Sequence, residues 1–340
     1  MNTPLMVTIR CTVYNHEPYI RECLEGFVMQ KTNFRFEAIV HDDASTDGSA
    51  AIIREYAEKY PDIIKPIYQT ENQYSKRDGS LRRIMNEHTH GKYVALCEGD
   101  DYWIDPLKLQ KQVDFLEAND NISLCHTAFR YLYQSTGEIR ETTEISNRNM
   151  HILGKNSRKN LIYEILNSNK YRIQTNTAVF RRVDYEKIIQ TEAIRDNYFL
   201  MGDTPLWVSL LQFGEIKFID SVMAVYRVNE GSACRQTDMK KQTLFALSSA
   251  EMRLYYANLN DLSPVLFLHQ FNCLYIKCKS FNPNYDLSKS PIFNLLETNI
   301  LFSLLDYKIV IHLIKSACIL NKNIRAYVKY IINNLSNKLK

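Results

Sequence analysis

The sequence predicts an α/β fold in which a mainly parallel central sheet is flanked by helices and followed by a helical extension. Three observations lead to it. Short apolar runs alternate with amphipathic helical stretches from Leu5 to Leu116, the order that parallel crossover units require. Val94-Ala95-Leu96-Cys97 has no polar alternation, as in a strand buried on both faces, and beyond Arg235 the pattern is helical. In an open sheet of this kind ligands bind outside the carboxyl ends of the strands, so the loops there carry the chemistry.

Leu5 to Val13, rich in β-branched and apolar residues, reads as the first strand. A helix starts at Glu17-Pro18 and puts Ile20, Leu24, Phe27 and Val28 on one face. Phe36 to Val40 is the second strand, and the helix after it buries Ile52, Ile53, Tyr56 and Tyr60 before stopping at Pro61. Ile63 to Tyr68 and Ser80 to His88 supply the third strand and helix. Asp105-Pro106 caps the next helix, whose stripe is Leu109, Val113 and Leu116. Ile122 to Tyr133 alternates like a half-exposed strand, and the polar stretch 134–158 reads as a long loop. Tyr171 to Phe180 reads as a strand and Leu206 to Phe213 as a short helix. The expected division is one half-domain over 1–125, a second over 126–235 and a helical extension over 236–340.

With 42 basic and 38 acidic side chains, the net charge of +4 does not argue for a nucleic-acid partner. Eight scattered cysteines with no CxxC pair suggest neither a zinc site nor a disulfide framework, and they read as reduced thiols of a cytoplasmic protein. Met1 to Leu5 lacks the features of a signal peptide, and no apolar run reaches the ~18 residues of a membrane span.

Three loops carry polar chemistry at corresponding places: Thr12-Val13-Tyr14-Asn15, His41-Asp42-Asp43 and Glu98-Gly99-Asp100-Asp101. Each follows a strand, so one sheet brings all three to one rim. Glu98, Asp100 and Asp101 repel one another there unless a cation offsets them, and Mg²⁺ or Mn²⁺ shared with phosphates suits an all-oxygen set. A solvated acidic strand end is the plainer alternative.

Over residues 5–120 these motifs resemble those of the family 2 glycosyltransferases, which have the Rossmann-like GT-A fold. Thr12-Val13-Tyr14-Asn15 is similar to that family's P-V-Y-N opening, and His41 to Ser49 to its D-D-G-S-T-D-G-S loop. Glu98-Gly99-Asp100-Asp101 is similar to its D-x-D-D element. The resemblance implies that Thr12, Tyr14, Asn15, Glu17, Asp43, Asn72, Arg82, Arg83, Glu98, Gly99 and Asp100 bind a nucleotide, with Asp43 on the base, Glu98 on the ribose and Asp100 on the metal. It implies Asp203, in Gly202-Asp203-Thr204-Pro205, as general base, with a plain helix cap before Pro205 as the alternative. Tyr226 to Ser232 is similar to a Y-R-x-H-x-x-S segment, with Asn229 as a weaker metal ligand in place of histidine and Arg227 as either a phosphate contact or an ion-paired arginine. Trp103 is placed to stack on a sugar or to pack a wall, and Thr175 and Asn176 to face an acceptor or to end a strand. His88, His90, His126 and His151 read as structural or surface residues.

The activity implied is inverting transfer from an NDP-sugar, a UDP-sugar first, to a glycan or polyprenyl-diphosphate-linked acceptor in surface-polysaccharide synthesis, with Mn²⁺ or Mg²⁺. The alternatives are a sugar-1-phosphate nucleotidyltransferase, which would carry a glycine-rich basic loop after the first strand, and a non-catalytic sugar-nucleotide-binding module. Along 301–340, seven lysines and arginines face only Asp306, and Ile324, Val328, Ile331, Leu335 and Leu339 share a helical face. That pattern fits an anionic inner-leaflet surface, a homodimer contact or packing on the catalytic domain.

Overall fold

The computed structural model describes residues 4–154, 157–167, 170–196, 198–229, 238–263, 265–285 and Ile292. Residues 1–285 form one compact unit and residues 286–340 a second. The stretch 301–340, with its basic stripe, lies outside the described residues, as does the end of the Tyr226 to Ser232 segment.

The sheet begins with the predicted alternation. β1 (Leu5–Val13) pairs in parallel with β2 (Arg35–Asp42), and β2 with β3 (Ile64–Tyr68). β4 (Tyr93–Leu96) lies parallel on the other side of β1. Beyond β4 the directions mix. β5 (Tyr102–Trp103), β6 (Ile122–Tyr133), β7 (Glu138–Glu141), β8 (Val179–Arg181) and β9 (Glu215–Val228) complete a nine-stranded sheet ordered β3-β2-β1-β4-β8-β6-β9-β5, with β7 paired to β6. β8 runs antiparallel to both β4 and β6, whereas β9 is parallel to β6 and antiparallel to β5.

Helices cover the parallel part for the reason their periodicity predicts. α1 (Ile20–Val28) buries Ile20, Cys23, Leu24 and Phe27 against the inward row Val7, Ile9, Cys11 and Val13 of β1. Gly26 lets α1 touch β5: a Cβ there would stand 2.9 Å from the Trp103 backbone nitrogen. α2 (Ser49–Lys59), the single turn α3 (Gln73–Lys76), α4 (Ser80–Glu87) and α5 (Lys108–Ala118) follow, the last burying Leu109, Val113 and Leu116.

The later elements depart from expectation. The polar stretch 134–158 is not a loop: it holds β7, α6 (Thr143–Leu153) and the start of α7 (Arg158–Leu166). Its polar residues turn inward to serve backbone groups. Thr142 donates to the Phe129 carbonyl, and the Asn149 amide receives the Arg172 N–H at 3.1 Å while donating to the Arg172 carbonyl at 2.8 Å. With those groups engaged, 171–180 is not a continuous strand: a 3-10 turn occupies Thr175–Thr177 and pairing starts at Val179. β6 is not half-exposed, because it lies inside the sheet and residues 122–129 are all buried. Its buried His126 bonds through Nε2 to the Tyr171 hydroxyl at 2.6 Å, while Nδ1 has no hydrogen-bond partner among the described residues. β9 and α3 had no sequence expectation.

α8 (Arg182–Ile188), α9 (Glu192–Arg195), α10 (Asp203–Leu210), α11 (Met239–Leu259) and α12 (Val265–Phe281) complete the described chain. Among the described residues no helix is long and apolar enough to cross a membrane. Cys11, Cys23, Cys97, Cys125, Cys273 and Cys278 form no disulfide among the described residues.

Candidate active site

β1, β2 and β4 run parallel, so their carboxyl ends deliver Tyr14, Asp43 and the Glu98 to Asp101 loop to one edge of the sheet. The acid loop is tied to β1 by the Cys97 N–H on the Arg10 carbonyl (3.2 Å) and the Gly99 N–H on the Thr12 carbonyl (3.0 Å). Gly99 is required by close approach, since a Cβ would lie 2.8 Å from Val13 Cγ2 and 2.9 Å from His16 Nδ1.

Burial pushes the Glu98 carboxyl up to about 7, and Asp100 and then Asp203 push the same way. Asp203, which begins α10, therefore lies within electrostatic reach of the acid loop despite its distance in sequence. Its side chain is exposed, and Oδ1 accepts the adjacent Thr204 N–H at 2.8 Å, whereas the N-cap of α10 is Gly202, with no side-chain cap bond. A cavity of about 200 Å³ opens beside it, with Gly202, Met201, Pro205 and Arg82 in its walls.

Asp100 Oδ2 receives the Asn229 amide at 3.1 Å, and Asn229 Oδ1 is buried with no hydrogen-bond partner among the described residues. The two ends of an amide are assigned from their partners, so this orphaned oxygen beside a carboxylate is the feature a hard cation would satisfy. No three His, Cys, Asp or Glu side chains converge on a metal position among the described residues. An ion shared with a diphosphate needs only one or two protein carboxylates, and the oxygen set of Asp100, Asn229 and nearby Glu98 fits Mg²⁺ or Mn²⁺.

Several expected ligands are engaged by the protein itself. Asp101 does not face the site: it is buried and accepts the Arg227 N–H at 2.8 Å, and burial holds its carboxyl well above the usual range. Arg227 is an internal brace rather than a phosphate contact, bonded to the Asp100 carbonyl (2.8 Å), Gln134 and Glu22. Trp103 cannot stack on a sugar, because it is 2% exposed, donates its indole N–H to the Asn176 carbonyl at 2.7 Å and meets Phe27 edge-on. Asn176 is likewise buried, donating to the Val225 carbonyl, and Thr175 is half-buried in the same turn. Arg83 turns to Asp78, whereas Arg82 reaches the Arg195 carbonyl at 2.9 Å along the cavity.

At the β1 and β2 ends, Tyr14 stands 47% exposed. Asn15, with φ 55°, accepts the Thr46 N–H, and Glu17 accepts the Gly48 N–H at 2.7 Å, so both brace the 43–49 loop. Ala44 there has φ 63°, a conformation that favours glycine. Asp43 is 3% exposed, and its two oxygens take the N–H groups of Gln73 (2.7 Å) and Tyr74 (2.9 Å). Asn72 caps α3 and donates to the Asp43 carbonyl. Sequence reasoning missed His16, whose buried Nδ1 has no hydrogen-bond partner among the described residues. Burial lowers its pKa against the pull of Asp100 and Asp47. Its only signal was its place after Asn15.

The chain is similar to several known proteins. An uncharacterized protein of Mycobacterium tuberculosis is 36% identical over 214 residues, 63% of this chain and 56% of its own, so the chain spans about half the length of that relative. The poly(ribitol-phosphate) beta-glucosyltransferase of Bacillus spizizenii is 34% identical over 99 residues, 29% of this chain and 15% of its own. The Staphylococcus aureus TarS 1–349 structure with UDP-GlcNAc aligns at 17% identity over 84% of this chain and 75% of its own, with a TM-score of 0.49. The sequence model for glycosyl transferase family 2 matches residues 8–187, more than half of the chain. The chain belongs to glycosyl transferase family 2.

Proposed function

We propose that the protein moves a sugar from a nucleoside diphosphate donor, UDP-linked first, to a hydroxyl of a glycan or lipid-linked acceptor, inverting the anomeric centre. The observation that carries this reading is the parallel pairing of β1 with β2 and β4, which brings Tyr14, Asp43 and the Glu98 to Asp101 loop to one edge of the sheet; the influence of Asp203 on Glu98 supports it. Asp203 takes the proton of the acceptor hydroxyl as that oxygen attacks the anomeric carbon; the bond to the diphosphate breaks and the nucleotide leaves with the electron pair. Glu98 and Asp100, with Asn229, would hold a divalent cation, whose charge would offset that of the diphosphate. The cavity beside Asp203 receives the acceptor. Tyr14, Asn15, Thr12, Glu17, Asp43 and Asn72 form or brace the nucleotide side, and Arg82 lines the acceptor cavity.

A role in assembling a surface polymer is supported by the relative named as a poly(ribitol-phosphate) glucosyltransferase. The basic stripe in 301–340 supports a cytoplasmic protein resting on an anionic membrane face. The test is incubation with UDP- and GDP-sugars and Mn²⁺, measuring nucleoside diphosphate release. Metal-dependent release is expected, and Asp203→Asn should lower it about 10²- to 10⁴-fold while UDP affinity stays unchanged. Pyrophosphate made from a nucleoside triphosphate would instead indicate a nucleotidyltransferase, and binding without release a non-catalytic module.

A further inference from the structure

Three tyrosines stand exposed near the carboxyl ends of the parallel strands: Tyr14 (47%), Tyr68 (37%) and Tyr74 (58%). Tyr68 has the Arg54 guanidinium 4.8 Å above its ring. Neither Tyr14 nor Tyr74 has an aromatic or cation–π partner of this kind among the described residues, and the Tyr74 hydroxyl makes no hydrogen bond there. Both flank Asp43. The Asp43 N–H bonds to the Val13 carbonyl at 2.8 Å, one residue before Tyr14, and the Asp43 carboxylate takes the Tyr74 N–H at 2.9 Å.

Tyr74 is also held firmly for a residue on a four-residue helix. Asp43 receives two backbone N–H groups of α3, Asn72 caps the turn through the Ser75 N–H at 2.8 Å, and the Asn72 amide returns to the Asp43 carbonyl at 3.2 Å. The turn stops at Arg77, whose φ of 54° ends the helix. An exposed aromatic on a pinned backbone offers a stacking surface that needs little further ordering.

We propose that Tyr74 provides a second stacking surface for the nucleobase of the donor, with Tyr14 the first, and that the Asp43 to α3 contacts set its position. This rests on the nucleotide-sugar reading above and adds to it a residue outside the motifs that suggested that reading. Base–aromatic stacking removed by alanine corresponds to a loss of about 5- to 150-fold in affinity.

The test is calorimetric titration of the full chain with UDP and Mn²⁺, compared with Tyr74→Ala, Tyr74→Phe and Tyr74→Trp. Tyr74→Ala is expected to weaken UDP within that range, with its thermal midpoint unchanged because the ring is exposed. Tyr74→Phe should bind within about twofold of the parent, since the ring face and not the hydroxyl is used. Tyr74→Trp should bind as well and lose fluorescence as UDP is added. Parental affinity in Tyr74→Ala, or no quenching in a Tyr74→Trp variant that binds UDP, would overturn the inference and leave the donor reading intact. Failure of the parent protein to bind UDP or GDP would overturn both.

Discussion

Lys108 is fully buried, its ammonium on Gln112 Oε1 at 2.8 Å and 4.1 Å above the Trp103 ring. Burial lowers its pKa to about 7. The unfolded chain therefore binds more protons than the folded one between about 7 and 10.5, and stability should rise with pH across that window, by at most about 1.4 kcal/mol per unit. Urea titrations at several pH values should show this slope in the parent and a flatter one in Lys108→Met. Trp103→Ala should cost about 3–5 kcal/mol of stability, as a core truncation does, rather than merely raising a substrate KM. Ala44→Gly should stabilise by up to about 1 kcal/mol in the same titrations, by relieving a left-handed alanine. The residue types at the rim were readable because acids after a buried strand are chemically conspicuous. The inward turn of Trp103 and Asn176 was not, because it depends on β9, which pairs with β5 from the far end of the domain.

Among elements, the sequence succeeded where one face alternates cleanly and failed where polar residues serve the interior. α1 was legible from Ile20, Leu24 and Phe27, whereas α6 was hidden because Ser146 and Asn149 are buried polar residues, the latter bonded to the Arg172 backbone. β9 carries Glu215, Lys217, Asp220 and Arg227 among its apolar residues, and burial of the last depends on Asp101 and Glu22 from elsewhere. The contact between α1 and β5 gives a paired test. Gly26→Ala should destabilise by about 1–3 kcal/mol, because its Cβ would press on backbone that cannot move aside. Gly202→Ala, with no neighbour within 4 Å of its Cβ, should change stability by less than about 0.5 kcal/mol in the same melt.

For the whole molecule, the acid loop leaves the sheet where pairing changes character: β4 is parallel to β1 on one side and antiparallel to β8 on the other. The parallel half was legible in the strand and helix alternation. The antiparallel insertion was not, since local pattern carries no strand direction. Its consequence is that the groups proposed for the nucleotide side and Asp203 come from separate chain segments, so ligand binding should stabilise residues 1–285 as a unit. UDP with Mn²⁺ at 100 times its Kd should add about 2.7 kcal/mol, read as a rise in thermal midpoint. Asp100→Ala should abolish that rise while keeping the parent's ligand-free midpoint.

The most direct measurement is a crystal structure with a non-hydrolysable UDP-sugar and Mn²⁺, locating the metal by its anomalous signal. The expected result is manganese on Asp100 and the diphosphate, with the Asp203 carboxylate facing the open side of the anomeric carbon. A nucleotide bound away from Asp43 and Asp100, or an Asp203 turned from the sugar, would contradict the shared site.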